Sequence, residues 1–103
     1  MKIIETEKEF DSVLSANDVV FVDIYADWCG PCKMVGPVVE QIASEMTDVT
    51  FIKVNVDDLP ELAERYGIMS IPNMIIFKKG EAASSIVGFQ PKASIERAIL
   101  SVK

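Results

Sequence analysis

The sequence predicts an α/β domain: a mixed β-sheet of about five strands with helices packed on both faces. Three observations carry this. The run "VVFVDIYA", residues 19–26, is apolar on both faces except at Asp23, the pattern of a strand buried at the centre of a sheet. Apolar residues then recur at helical spacing over residues 35–46, and "VTFIKVNV", residues 49–56, adds a second β-branched run. A strand, a helix and a strand joined by short loops form a right-handed crossover unit.

The elements follow in order. A short strand at residues 2–4 opens the chain. Thr6 followed by Glu9 reads as a capping box for a first helix, whose apolar stripe is Phe10, Val13 and Leu14. The central strand comes next. In the second helix Val35, Val38, Val39, Ile42, Ala43 and Met46 share one wide face. Pro37 lies inside that pattern and predicts a kink. Leu59, Leu62, Ala63 and Tyr66 mark a short third helix, with Gly67 as its stop. "NMIIF" and "SSIVGF", separated by "KKGEAA", read as a β-hairpin turning near Gly80. Ile95, Ala98, Ile99 and Val102 make one face of a last helix.

Composition narrows the function. The 103 residues fit one domain, residues 1–103, and half of them are apolar with a quarter charged, which excludes a disordered chain. Net charge is −6 without a basic cluster, so a nucleic-acid-binding face is not expected. No apolar run approaches the roughly 18 residues of a membrane span. The acidic N-terminus lacks the apolar core of a secretion signal, so a cytoplasmic protein starting at Met1 is expected. There is no histidine, which removes the commonest general base and metal ligand.

The only two cysteines, Cys29 and Cys32, lie within "DWCGPCK", residues 27–33. As a structural staple they would be poorly placed, because stabilisation by a disulfide grows with the loop it closes. As metal ligands they supply half of a tetrahedral site, with no histidine or third cysteine to complete it short of sharing across a dimer. Redox chemistry fits best. The motif sits where the central strand ends and a helix begins, the favoured end for active sites in open α/β sheets. Pro31 suits a first helical turn. Positions i and i+3 of a helix bring Cα atoms about 5 Å apart, within the roughly 4.4–6.8 Å a disulfide spans. The helix N-terminus favours a thiolate at Cys29. Cys32, further in and against the core, stays protonated longer. Cys29 is then the attacker and Cys32 the resolver. Asp23, buried in its strand, should have a raised pKa and can take a proton from Cys32.

"WCGPCK", together with "FVDIYADWCGPCK", "VNVDDLPELAERYGI", "SIPNMIIFKKGE" and "VGF", resembles the thioredoxin family over essentially the whole chain. The resemblance implies the thioredoxin fold, with four helices flanking the sheet, and a disulfide reductase using Cys29 and Cys32 as its redox disulfide. Asp23 matches the family's buried aspartate, and Lys53 a lysine that pairs with it. The resemblance further implies that Pro72 is cis and faces the cysteines. That leaves the Ile71 backbone free to pair with an extended substrate. It also implies an apolar docking surface of Trp28, Gly30, Pro31, Ile71, Pro72, Val87 and Gly88. No metal and no bound organic cofactor is implied. The expected partners are proteins with disulfides and a thioredoxin-reductase-type electron donor, acting on a monomer. Tyr25, Asn73 and Phe89 depart from the family's common residues, and Phe89 bears on partner choice. The rival reading is a binding or scaffold module that grips partners without turnover; a second rival is an oxidase or isomerase.

Overall fold

A strand that is apolar on both faces is stable only where both faces are covered, and the strand Val19–Tyr25 (β2) accordingly lies in the middle of a five-stranded sheet. The computed structural model describes residues 1–103. The other strands are Lys2–Ile3 (β1), Thr50–Asn55 (β3), Asn73–Lys78 (β4) and Glu81–Val87 (β5), in the spatial order β1-β3-β2-β4-β5. β1 and β2 run parallel to β3, and β4 runs antiparallel to both β2 and β5. The helices are Glu7–Ala16 (α1), Gly30–Glu45 (α2), Pro60–Arg65 (α3) and Lys92–Val102 (α4). No helix is long and apolar enough to cross a membrane.

Alternation along β2 divides the core in two. Val20, Val22 and Ile24 join Ile52, Val54, Ile75 and Phe77 under Phe10 and Leu14 of α1 and Leu62 of α3. Phe21 joins Phe51, Met74 and Ile76 on the opposite face, under Val35, Val39 and Ile42 of α2 and Ile95 and Ile99 of α4. Asp23 falls on this second face by the same alternation. The parallel partners β2 and β3 cannot be joined by a tight turn, so α2 crosses the sheet between them and starts at the carboxyl end of β2.

Local sequence sets most of the ends. Thr6 Oγ1 caps α1 by accepting the Glu9 N–H at 3.0 Å. The return bond of the capping box goes one residue further back: Glu9 Oε1 accepts the Glu5 N–H at 2.8 Å, while Oε2 takes Lys2 Nζ at 2.7 Å. The lysine draws the carboxylate past the cap. α3 ends in a Schellman arrangement, with Gly67 at φ +63, its N–H on the Glu64 carbonyl and the Ile68 N–H on the Ala63 carbonyl. α2 runs through Pro37 to Glu45 although that residue brings no N–H to the helix. The hairpin turn is tighter than its sequence suggests. Lys79 and Gly80 both have positive φ, +51 and +83, the two-residue turn whose twist suits a hairpin. Pairing therefore resumes at once, Lys78 with Glu81. β5 begins at Glu81 rather than near Ser84, and a register shift between Ile76 and Phe77 absorbs the extra residue.

Phe77 stands edge-on to both Phe10 and Tyr66, at centroid distances of 5.9 and 5.4 Å, and is almost fully buried. Phe77→Ala is expected to lower stability by about 3–5 kcal/mol, read as a fall in the urea midpoint without a change in slope.

Candidate active site

β2 delivers the chain to α2 through residues 26–29. Cys29 is the N-cap of α2, and Cys32 lies one turn inside it. Their Cα atoms are 5.2 Å apart and their sulfurs are joined as a disulfide. The Cys32 N–H donates to Cys29 Sγ at 3.2 Å, so the sulfur occupies the place a serine or aspartate oxygen takes at other helix starts. This N–H has no carbonyl partner within the helix and points its positive end at the sulfur. Burial does not distinguish the two residues, which are 4% and 6% exposed. The expected difference in depth is absent; the asymmetry lies in helix position and in neighbours, Cys29 facing the Ile71 carbonyl and Cys32 the Asp23 crevice.

The Ile71–Pro72 peptide is cis, and the Ile71 carbonyl oxygen lies 3.8 Å from Cys29 Sγ. Ile71 packs on the small cluster of Ala26, Cys29 and Cys32. Its N–H has no partner within the chain. The Gly88 N–H donates to the Pro72 carbonyl at 2.8 Å, with Gly88 at φ +81, tying the end of β5 to this loop. Pro72 itself is buried, so it shapes the surface from beneath and is not part of its outer face. Gly30, Pro31, Trp28 and Val87 are exposed, and Gly88 is half-buried.

Trp28 is 70% exposed and is held by one bond, its Nε1–H donating to Asp57 Oδ2 at 3.0 Å. Asp57 is fixed in turn, its N–H on Asn55 Oδ1 at 2.9 Å. Asn55 and Asp57 are absent from the expected site; the only signal for them is the polar Asn55 at the end of β3 and the Asp57–Asp58 pair just beyond it. Trp28, Ile71, Val56, Ile68 and Met69 line a narrow groove of 180 Å³. A larger open hollow of 610 Å³ lies between residues 67–70 and β5 and contains neither cysteine.

Beneath the disulfide, Asp23, Cys32, Tyr25, Lys53, Pro37 and Glu40 share a crevice of 270 Å³. Asp23 is 1% exposed and its Oδ1 has no hydrogen-bond partner. Burial pushes its pKa up to about 6 from the usual 3.8, against the pull of Lys53. Lys53 is its register partner on β3 but forms no ion pair with it. The expected pairing is not direct, because the ammonium stands over the Tyr25 ring, 4.5 Å from its centroid. Asn73 is buried and its Oδ1 accepts the Ser85 hydroxyl at 3.2 Å, while Phe89 is 44% exposed beyond Gly88.

The family model described as thioredoxin matches residues 1–101. A thioredoxin of Mycoplasmoides gallisepticum is 46% identical over 96 residues, covering 93% of this chain and 96% of that one. A thioredoxin of Mycobacterium tuberculosis is 50% identical over 91 residues, covering 87% and 78%. Among solved structures, thioredoxin of Plasmodium falciparum superposes with a TM-score of 0.94 at 35% identity, covering 100% of both chains.

The raised carboxyl of Asp23 has a stability cost of definite sign. The folded protein keeps this proton up to about pH 6, while the unfolded chain releases it near 3.8. Stability from this group is therefore intact below pH 3.8 and is lost as pH rises through 6. Asp23→Asn is expected to gain about 2–3 kcal/mol relative to the parent at pH 7.5 compared with pH 3.5, measured by urea unfolding of both proteins at each pH.

Proposed function

Because the chain belongs to the thioredoxin family, we propose that it reduces protein disulfides, with Cys29 as the attacking sulfur and Cys32 as the resolving one. It is a thiol–disulfide oxidoreductase of the dithiol-exchange type, and the family acts on protein disulfides. The observation that carries the assignment is Cys29 at the N-cap of α2, its sulfur accepting the Cys32 N–H at 3.2 Å.

In the dithiol state the Cys29 thiolate attacks one sulfur of a target disulfide. A mixed disulfide forms and the other target sulfur leaves as a thiolate, which takes up a proton. Asp23 then accepts the Cys32 proton across the shared crevice. A carboxyl near pKa 6 is ionised at neutral pH yet basic enough to receive it. The Cys32 thiolate attacks Cys29 Sγ, the target leaves fully reduced, and two electrons have passed from the two thiols to the target. A thioredoxin-reductase-type donor returns them. Neither a metal nor a bound organic cofactor enters these steps. Lys53 tunes the Asp23 charge from a distance.

The target is gripped as an added strand. The unpaired Ile71 N–H and its carbonyl, beside Cys29 Sγ, offer main-chain bonds to an extended segment. Trp28, Gly30, Pro31, Val87 and Gly88 offer apolar contact around it, with Pro72 supporting Ile71. One such face per chain needs no second subunit, so residues 1–103 act as one monomeric domain, suited to a reducing compartment such as the cytoplasm.

With dithiothreitol as donor, the parent is expected to precipitate insulin quickly, and Cys29→Ser to be no faster than buffer. Cys32→Ser should accumulate mixed disulfides through Cys29, seen by mass spectrometry. Trapping through Cys32 in the Cys29→Ser variant instead would reverse the roles. A Cys29→Ser/Cys32→Ser double variant that kept full biological activity would favour a scaffold. Asp23→Asn should slow release of the mixed disulfide about 10²-fold at pH 7, in stopped-flow measurements.

A further inference from the structure

Lys53 has two places to put its charge. Register partners on neighbouring parallel strands point to the same face, so Lys53 stands directly opposite Asp23. Tyr25 is two residues further along β2, on that same face, opposite Asn55. A lysine stem is long enough to reach either. The buried carboxylate is the stronger attraction in simple charge terms, and its Oδ1 is without a partner. Yet the ammonium lies 4.5 Å from the Tyr25 centroid, and none of the ion pairs in the protein includes Lys53. A cation over a ring face keeps part of its hydration, whereas an ion pair with Asp23 would desolvate both groups.

We propose that Tyr25 is a positioning residue: its ring holds the Lys53 ammonium beside the Asp23 carboxyl and not on it, and so sets how tightly Asp23 binds its proton. The other charged groups on the crevice are Asp27 at its mouth and Lys33 and Glu40 from α2. Asp58 acts on Tyr25 from the loop after β3. β4 contributes only the apolar Met74 opposite Asp23. The Tyr25 hydroxyl is itself held above the usual tyrosine range, by burial first and then by Asp27, so the ring is neutral when it receives the cation. Lys53 is the one positive group in the crevice on the strand facing Asp23, and where it rests decides the local field.

The functional consequence rests on Asp23 acting as the proton acceptor, but the placement can be tested without it. In the oxidised protein no thiol titrates, and the Asp23 carboxyl carbon can be followed by NMR against pH. Tyr25→Leu removes the ring, so the ammonium swings onto the carboxylate and the Asp23 midpoint falls by about one pH unit. Tyr25→Phe keeps the ring face and leaves the midpoint within a few tenths of the parent. Lys53→Met on the intact ring raises it only slightly, because the charge was already held away. In Tyr25→Leu/Lys53→Met the fall is abolished. The idea is overturned if Tyr25→Leu leaves the midpoint where it was, or if Tyr25→Phe moves it as far as Tyr25→Leu. It is overturned equally if the fall persists without Lys53, since water entry and not the cation would then be its cause. Should Tyr25→Leu not fold, Lys53→Met alone still decides: a rise of a full unit would place the ammonium on Asp23 in solution. Asp23 titrating as expected in a protein whose turnover ignores Asp23→Asn would sink the relay and spare the positioning.

Discussion

The parallel pairing of β2 with β3 obliges the chain to cross the sheet through α2, and the site depends on where that helix begins. A strand buried on both faces cannot end in a tight turn to a parallel neighbour. It must leave the sheet at its carboxyl end and return along a helix. Cys29 sits at that junction as the cap, so one of the backbone N–H groups that any helix start leaves unsatisfied, that of Cys32, becomes a donor to a sulfur. Gly30 and Pro31 make the junction short, and the cis Ile71–Pro72 loop closes over it from β4.

A second constraint runs the other way. Placing the active end of β2 in the core carries Asp23 in with it, and the carboxyl has nothing on one oxygen. In a sheet built only for stability an apolar residue would serve better there. The protein instead keeps a group that resists ionisation directly below the disulfide, together with a lysine that stands near but apart. Stability and the proposed proton transfer are opposed at this residue.

Much of this is legible in the residues. The apolar run at Val19, the helical spacing of Val35, Val39 and Ile42, and a hairpin turning near Gly80 are local patterns, and local patterns fix elements. Glu81, Ala82 and Ala83 at the start of β5 carry no strand signal; Ala82 enters the sheet because the tight turn brings it back against Phe77. The cysteines and Asp23 stand out as chemistry in the wrong company for a core, whereas the role of Ile71–Pro72 comes only from the family resemblance. What the sequence hid was the placement of atoms between elements. The burial of Pro72 depends on β5 bonding to it through Gly88. The Lys53 ammonium has a ring and a carboxylate within reach, and periodicity does not rank them. Trp28 is held by Asp57, a contact across 29 positions that no motif announces.

The free N–H of Ile71 has one more consequence. Under the strand-addition grip proposed above, the chain runs the risk of recruiting copies of itself, since any open strand edge is a template. Here the edge stops at Ile71. Pro72 follows it without a donor, and from Asn73 onward the backbone is engaged between β2 and β5. A partner strand can bond at one point but cannot zip onward. The proline beside the sulfurs thus stops any pairing at Ile71 from running on into β4.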